Sequence, residues 1–175
     1  CVLGGWMCLR SRGVLCYWEE VVPLCFCVFV VFFFRRKRAN RTMPSLVGWG
    51  ISIGDRGETS ESEHKKIGEI FDPSQLELLI TVGKMTNKYL APIAEKNGCK
   101  VISFDTALEA GEFLKNSDIK DTTILFKGSQ GGIYLEDAVK ELLLDPSDAE
   151  KLVRQSQSWK QIKAKFYDSF SQSQK

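Results

Sequence analysis

The sequence is poor in the residues that most enzymes use for covalent or metal chemistry. Its 175 residues hold one histidine, His64, three methionines and five prolines. One histidine cannot complete a histidine cluster, and no serine or cysteine stands beside it as a nucleophilic partner. Cysteine is almost missing beyond residue 27. Cys1, Cys8, Cys16, Cys25 and Cys27 come first, and only Cys99 follows. No two of them have the two-residue spacing of a zinc knuckle. A secreted disulfide scaffold spreads its cysteines through the folded core, so that class is excluded too. Nowhere do glycine, lysine and Ser/Thr fall in the order of a Walker A loop. No apolar run reaches the roughly 20 residues that a bilayer-spanning helix needs.

Charge of one sign is also lacking. Residues 1–50 carry seven Lys/Arg against two Glu, a net of +5, and residues 51–175 carry seventeen against twenty Asp/Glu, a net of −3. The overall +2 therefore joins two unlike parts. Neither has the basic stripe with interleaved aromatics that nucleic acid would require, so no nucleic-acid partner is expected.

The first fifty residues read differently from the rest. Residues 21–34 are apolar, are interrupted by Pro23, and end in Arg35-Arg36-Lys37-Arg38. No helical or strand period is kept there, and caps and turns are missing. The reading adopted is a segment foreign to the domain that follows, as an out-of-frame stretch or a mis-called start would give. The alternative is a short membrane anchor over residues 21–34 with its basic cluster on the cytoplasmic side.

Regular texture starts near Thr59. A capping box with Ser60 as N-cap and Glu63 at N3 predicts a helix to about Phe71, closed by Asp72-Pro73. Residues 76–82 predict a strand. Residues 86–96 predict a helix weakened by Pro92, with Asn97-Gly98 as its C-cap. Residues 100–104 predict a second strand. Residues 106–115 predict a helix with Leu108, Phe113 and Leu114 inward, and Asp105 as its N-cap. Residues 122–126 predict a third strand and residues 135–144 a helix, with a glycine-rich loop between them. A last amphipathic helix is expected from Ala149 to about Tyr167, and then a polar tail.

Strands alternating with helices predict an α/β fold. The expected form is a small three-layer, doubly wound and mainly parallel sheet of the Rossmann-like kind. It would have three strands, or four if residues 47–53 join. Its domain would cover residues 51–146, with residues 147–175 as helix and tail. Ligands of such sheets sit beyond the carboxyl ends of the strands, which puts Gly83-Lys84, Asp105 and Lys127-Gly128-Ser129 on one edge.

Lys127-Gly128-Ser129-Gln130-Gly131-Gly132 is the most informative stretch. Glycines let the backbone approach a ligand closely, and free N–H groups at a helix start favour an anion. Lys127 would add a point charge for a phosphate or carboxylate. On spacing alone, a glycine-rich turn with a solvated lysine is the better reading. His64 by itself reads as a surface or packing residue. Trp159 and Phe166, seven apart, read as an apolar stripe that packs on the sheet or on a partner.

In order, these elements resemble the C-terminal domain of the muramyl ligases, most of all the type that adds D-alanyl-D-alanine to the peptidoglycan precursor. The likeness is carried by Ile124-Leu125-Phe126-Lys127-Gly128-Ser129-Gln130-Gly131 with Leu135-Glu136 after it, and by Gly54-Asp55 followed by Ser60 and His64. It covers residues 54–144. Gln130 stands where the family has arginine, and the family's Gly-Asp-Met and Glu-Leu-Gly pattern is scrambled after Asp55.

The resemblance implies an ATP-dependent amide ligase of the cytoplasm. ATP, with Mg2+, phosphorylates a UDP-muramyl peptide carboxylate, and the amine of D-alanyl-D-alanine attacks the acyl phosphate. The C-terminal domain closes over ATP and positions the amine. By that analogy Lys127, Gly128, Ser129, Asp55 and His64 face ATP or the incoming substrate, with no catalytic residue and no metal ligand in this part. Magnesium and most of the ATP contacts belong to a P-loop domain for which this sequence has no motif. The chain is therefore expected to be a fragment without ligase activity by itself. The alternative is a non-catalytic anion- or nucleotide-binding α/β module, membrane-anchored if the first segment is an anchor.

Overall fold

The computed structural model describes residues 2–3, 6–11, 14–20, 30–35, 58–74, 76–118, 122–128 and 132–173. Their elements are β1 (Val2–Leu3), β2 (Trp6–Ser11), β3 (Val14–Glu20), β4 (Val30–Arg35), α1 (Glu58–Ile70), β5 (Leu78–Val82), α2 (Ala91–Lys96), β6 (Val101–Phe104), α3 (Ala107–Asn116), β7 (Thr122–Gly128), α4 (Glu136–Lys140) and α5 (Gln157–Ser173). A π-helical turn, Thr86–Leu90, leads into α2, and a 3₁₀ helix, Pro146–Lys151, follows α4.

The chain is α/β, and its sheet is mixed where a mainly parallel one was expected. Seven strands run in the order β1-β2-β3-β7-β4-β5-β6. β5 and β6 are parallel, as are β3 and β7. β4 lies between β5 and β7 and is antiparallel to both. Without it, the facing edges of β5 and β7 would leave a row of backbone donors and acceptors to be paired elsewhere. Residues 30–34, the end of the apolar run, fill that gap. Residues 21–29, and the possible strand over residues 47–53, lie outside the described residues. No helix among the described residues is long and apolar enough to cross a membrane.

Both faces of β5 are covered, since Leu79, Ile80, Thr81 and Val82 are all buried. Ile80, Val82, Ile124 and Phe126 pack with Ala107, Ala110 and Leu114 of α3 and with Ala138 and Val139 of α4. Strand side chains alternate, so Leu79, Thr81, Leu125 and Lys127 belong to the other face. α1 packs against the π-turn and α2. Gly111 lets α3 and α4 approach closely, because a Cβ there would stand 2.8 Å from the Ala138 Cα.

Local chemistry explains most boundaries. α2 ends in a Schellman motif. Gly98 takes φ +90, its N–H donates to the Glu95 carbonyl at 2.9 Å, and the Cys99 N–H donates to the Ala94 carbonyl at 3.0 Å. Pro92 does not break the predicted helix in its middle. The chain widens to a π-turn in which the Ala91 N–H reaches the Thr86 carbonyl, and Pro92 then falls in the first turn of α2, where its missing N–H costs little.

Several expectations are corrected. The N-cap of α3 is Thr106, not Asp105. Its hydroxyl accepts from the Glu109 N–H while the Glu109 carboxylate accepts from the Thr106 N–H, a complete capping box. That register turns Leu108 outward and Ala107, Ala110 and Leu114 inward. α1 opens at Glu58, so Ser60 lies inside the helix. Acidic residues near its start suit the macrodipole without a cap at Ser60. β7 extends through Lys127 and Gly128, because both pair with neighbouring strands. α4 ends at Lys140, where the Leu142 and Leu143 N–H groups make tighter bonds to residues three back. The last helix starts at Gln157, not Ala149. Asp145 caps the 3₁₀ helix, Leu152 anchors in the core, and Arg154 turns the chain with φ 56 before α5 begins.

Candidate functional site at the carboxyl edge of the sheet

Lys127 is the next-to-last residue of β7 and is buried, although the sequence suggested an exposed turn. Strand pairing sets it in one row of the sheet. Glu19 and Val30 are its register partners, Thr81 is opposite Val30, and Ser103 is opposite Thr81. Lys127 therefore shares a row and a face with Thr81 and Ser103, near the carboxyl ends of β5 and β6. Gly128 closes the strand. Ser129 and Asp55 lie outside the described residues. His64 is fully buried on α1, in the helical layer with the π-turn and α2.

Sequence reading missed the polar knot beside this row. The Thr81 hydroxyl donates to Asn87 Oδ1 at 2.8 Å, and Thr81 Oγ1 and Ser103 Oγ are also 2.8 Å apart. Asn87 Nδ2 donates to the Phe104 carbonyl at 2.9 Å. The Gly83 N–H donates to the same carbonyl at 2.9 Å, with Gly83 at φ +98. A Cβ on Gly83 would lie 2.3 Å from Ile133 Cδ1, so the turn after β5 and the segment after β7 are pressed together. The one available signal was Thr81 inside an otherwise aliphatic strand. Asp105, which the sequence also put on this edge, is exposed, and its N–H donates to Glu109.

A second cluster sits at the start of α4. Glu136 is fully buried and receives Arg154 in a two-pronged contact, Nε to Oε1 and Nη2 to Oε2, each 2.9 Å. Lys163 Nζ is 2.7 Å from Glu136 Oε1 and 3.0 Å from Asp137 Oδ1. Lys140 reaches the same Asp137 oxygen at 2.8 Å, and the Tyr167 hydroxyl donates to Asp137 Oδ2 at 3.1 Å. Burial first, and then the Asp137 charge, holds the Tyr167 phenol far above its ordinary range. Rings surround the cluster. Tyr134 meets Phe166 at 5.2 Å and both Trp159 and Tyr167 at 6.5 Å. The Trp159 and Phe166 stripe thus packs within this chain.

Chemically, the edge offers a lysine, a glycine at the end of its strand, and a turn with Gly132 at φ +87. Those features suit an anion. Among the described residues there is no group of three or more His, Cys, Asp or Glu that could hold a metal ion.

The chain contains a muramyl ligase-like region. It is 30% identical to UDP-N-acetylmuramoyl-tripeptide--D-alanyl-D-alanine ligase of Bacillus subtilis (strain 168) over 118 residues, which is 63% of this chain and 25% of that ligase. The chain thus matches about a quarter of the ligase's length. No family model matches the chain, and no solved structure matches it. The matched length exceeds the stretch of residues 54–144 that carries the ligase-like motifs.

Proposed function

We propose that residues 51–146 act as the C-terminal domain of a muramyl ligase that adds D-alanyl-D-alanine to a UDP-muramyl tripeptide in the cytoplasm. The observation that carries this is the 118-residue likeness to a ligase named for that reaction. In this reading β5, β6 and β7, with the helices between them, carry the ligase-like part. The ligase-like part is assigned to residues 51–146, with β3 and β4 completing its sheet on either side of β7 and Leu152 adding to its core.

Lys127 is the residue assigned the anion. Its ammonium lies at the carboxyl end of a strand, on a face lined by buried Leu79 and Leu125, where a charge-assisted contact is stronger than in water. Gly128 leaves room for close backbone approach, and Ser129 follows it in sequence with a hydroxyl. Asp55 and His64 stand near by resemblance. When bound, ATP supplies the phosphoryl group that activates the precursor carboxylate. The work of this chain is electrostatic placement, which holds the phosphates and orients the amine for attack. Magnesium is assigned to the P-loop part of the whole ligase. The 175 residues alone are expected to catalyse no ATP-dependent amide formation.

The test is calorimetric titration with magnesium–ATP of the full chain and of the Lys127→Ala and Lys127→Met variants. Losing a charged hydrogen-bond partner worth about 1.5–3 kcal/mol weakens binding roughly ten- to a hundredfold. Equal affinity in all three, with the melting temperature kept, overturns the assignment.

A further inference from the structure

We propose that Tyr134 is a positioning residue of the carboxyl edge: its ring, gripped by α5, holds a strained backbone turn and thereby fixes how the segment after β7 meets the turn after β5. The proposal rests on the reading of that edge as an anion site, since these two segments border it.

The backbone at Tyr134 is unusual. Its φ of 58 lies in the left-handed region, where Cβ crowds the carbonyl oxygen and a bulky residue is rare. Two residues earlier Gly132 takes φ +87, which glycine does freely. A tyrosine keeps such a conformation only where its surroundings over-determine it. Those surroundings come from one element. The buried ring meets Phe166 edge-on at 5.2 Å and both Trp159 and Tyr167 at 6.5 Å, and Lys163 Nζ lies 5.7 Å from its centroid. All four residues belong to α5. On the main-chain side, the Tyr134 carbonyl accepts from the Asp137 N–H at 2.9 Å as α4 begins.

Ile133, the residue before, is tied elsewhere. It packs against the main apolar cluster, and it stands so close to Gly83 that a Cβ there would lie 2.3 Å from its Cδ1. Gly83 takes φ +98, and its N–H donates to the Phe104 carbonyl. Two adjacent side chains therefore join α5, through Tyr134, to the turn after β5, through Ile133. α5 also reaches that turn directly, with the Phe170 ring 5.9 Å from Lys84 Nζ. Release of the Tyr134 ring lets its backbone leave the left-handed region, swings the Ile133 side chain off Gly83 and loosens the turn. Such coupling is reciprocal, so an anion that orders the turn also favours a docked α5.

The experiment compares the full chain with Tyr134→Phe, Tyr134→Gly and Tyr134→Ala by amide NMR and hydrogen exchange. Phenylalanine keeps the ring, glycine tolerates the conformation without a ring, and alanine has neither advantage. The exchange probes are the Gly83 and Asn87 amides, which are hydrogen-bonded at the turn after β5. Tyr134→Phe should leave these amides, and the chemical shifts of Gly132 and Ile133, as in the parent. Tyr134→Ala should move the shifts and speed exchange at Gly83 and Asn87 about tenfold, the size of a left-handed penalty, while the amides within β5 and β7 stay protected. Tyr134→Gly should fall between the two. A turn unchanged in Tyr134→Ala, or disturbed as much in Tyr134→Phe, overturns the proposal. So does a glycine variant disturbed as much as the alanine one. If Tyr134→Ala does not fold, Phe166→Leu decides in its place: faster Gly83 and Asn87 exchange supports the proposal, and parent-like exchange overturns it. These readouts need no nucleotide, so failure of magnesium–ATP to bind counts against the proposed function alone.

Discussion

Replacing Arg154 by alanine removes a two-pronged contact from a carboxylate that has no solvent exposure. The Arg154 side chain is only 6% exposed, so water cannot take its place without rearrangement. Breaking a buried pair by deleting one partner costs about 3–5 kcal/mol. Glu136 would keep Lys163 at 2.7 Å, which puts the expected loss at the lower end, about 3 kcal/mol. For a chain of this size that lowers the melting temperature by about 6–12 °C.

The backbone supplies an internal control. Arg154 has φ 56, so alanine there also bears the left-handed penalty of about 1–2 kcal/mol, which glycine escapes. Arg154→Gly should therefore be about 1 kcal/mol more stable than Arg154→Ala, the reverse of the usual order within a helix. A Glu136→Leu/Arg154→Ala pair should lose less than the two single changes added, by about 0.5–3 kcal/mol. Urea unfolding followed by circular dichroism measures all four. The reasoning is refuted if Arg154→Ala costs under about 1 kcal/mol, or if the glycine variant is the less stable of the two.

Two further outcomes follow from single contacts. Gly111→Ala gains about 1 kcal/mol of helix propensity but drives a Cβ to 2.8 Å from backbone that cannot rotate away, so a net loss of about 1–2 kcal/mol should appear in thermal melts. The Tyr167 phenol is raised in the folded state, so its contribution to stability is complete below pH 10, the ordinary tyrosine value, and falls as pH rises above it. The folded protein's tyrosinate absorbance up to pH 12 should then be the same in Tyr167→Phe as in the parent, and a smaller rise in the variant would contradict the burial argument.

What could be read from the chain was what neighbours in sequence decide. Asn97-Gly98 announced its helix end because the Schellman bonds join residues five or fewer apart. The alternation of apolar runs and helical spacings gave β5, β6, β7 and the helices between them. Thr106 was missed by one residue, since Asp105 and Thr106 are both good caps and only the Glu109 side chain chooses between them. Lys127 was misjudged because its burial depends on pairing with β3 and β4, which lie about a hundred residues earlier. The partners of Glu136 and Asp137 lie 18 and 26 residues away, so no local pattern announced the cluster they form. α5 was started too early because Leu152 leaves the helical pattern for the core and Arg154 turns the chain, both tertiary effects.

The central claim is that an anion is held at the carboxyl end of β7. Two-dimensional amide NMR of the full chain, titrated with magnesium–ATP, tests it most directly. The account predicts concentration-dependent shifts gathered at Lys127 to Gly132 and at Gly83 to Thr86, abolished in Lys127→Ala. Shifts gathered elsewhere, or none at millimolar nucleotide, would contradict it.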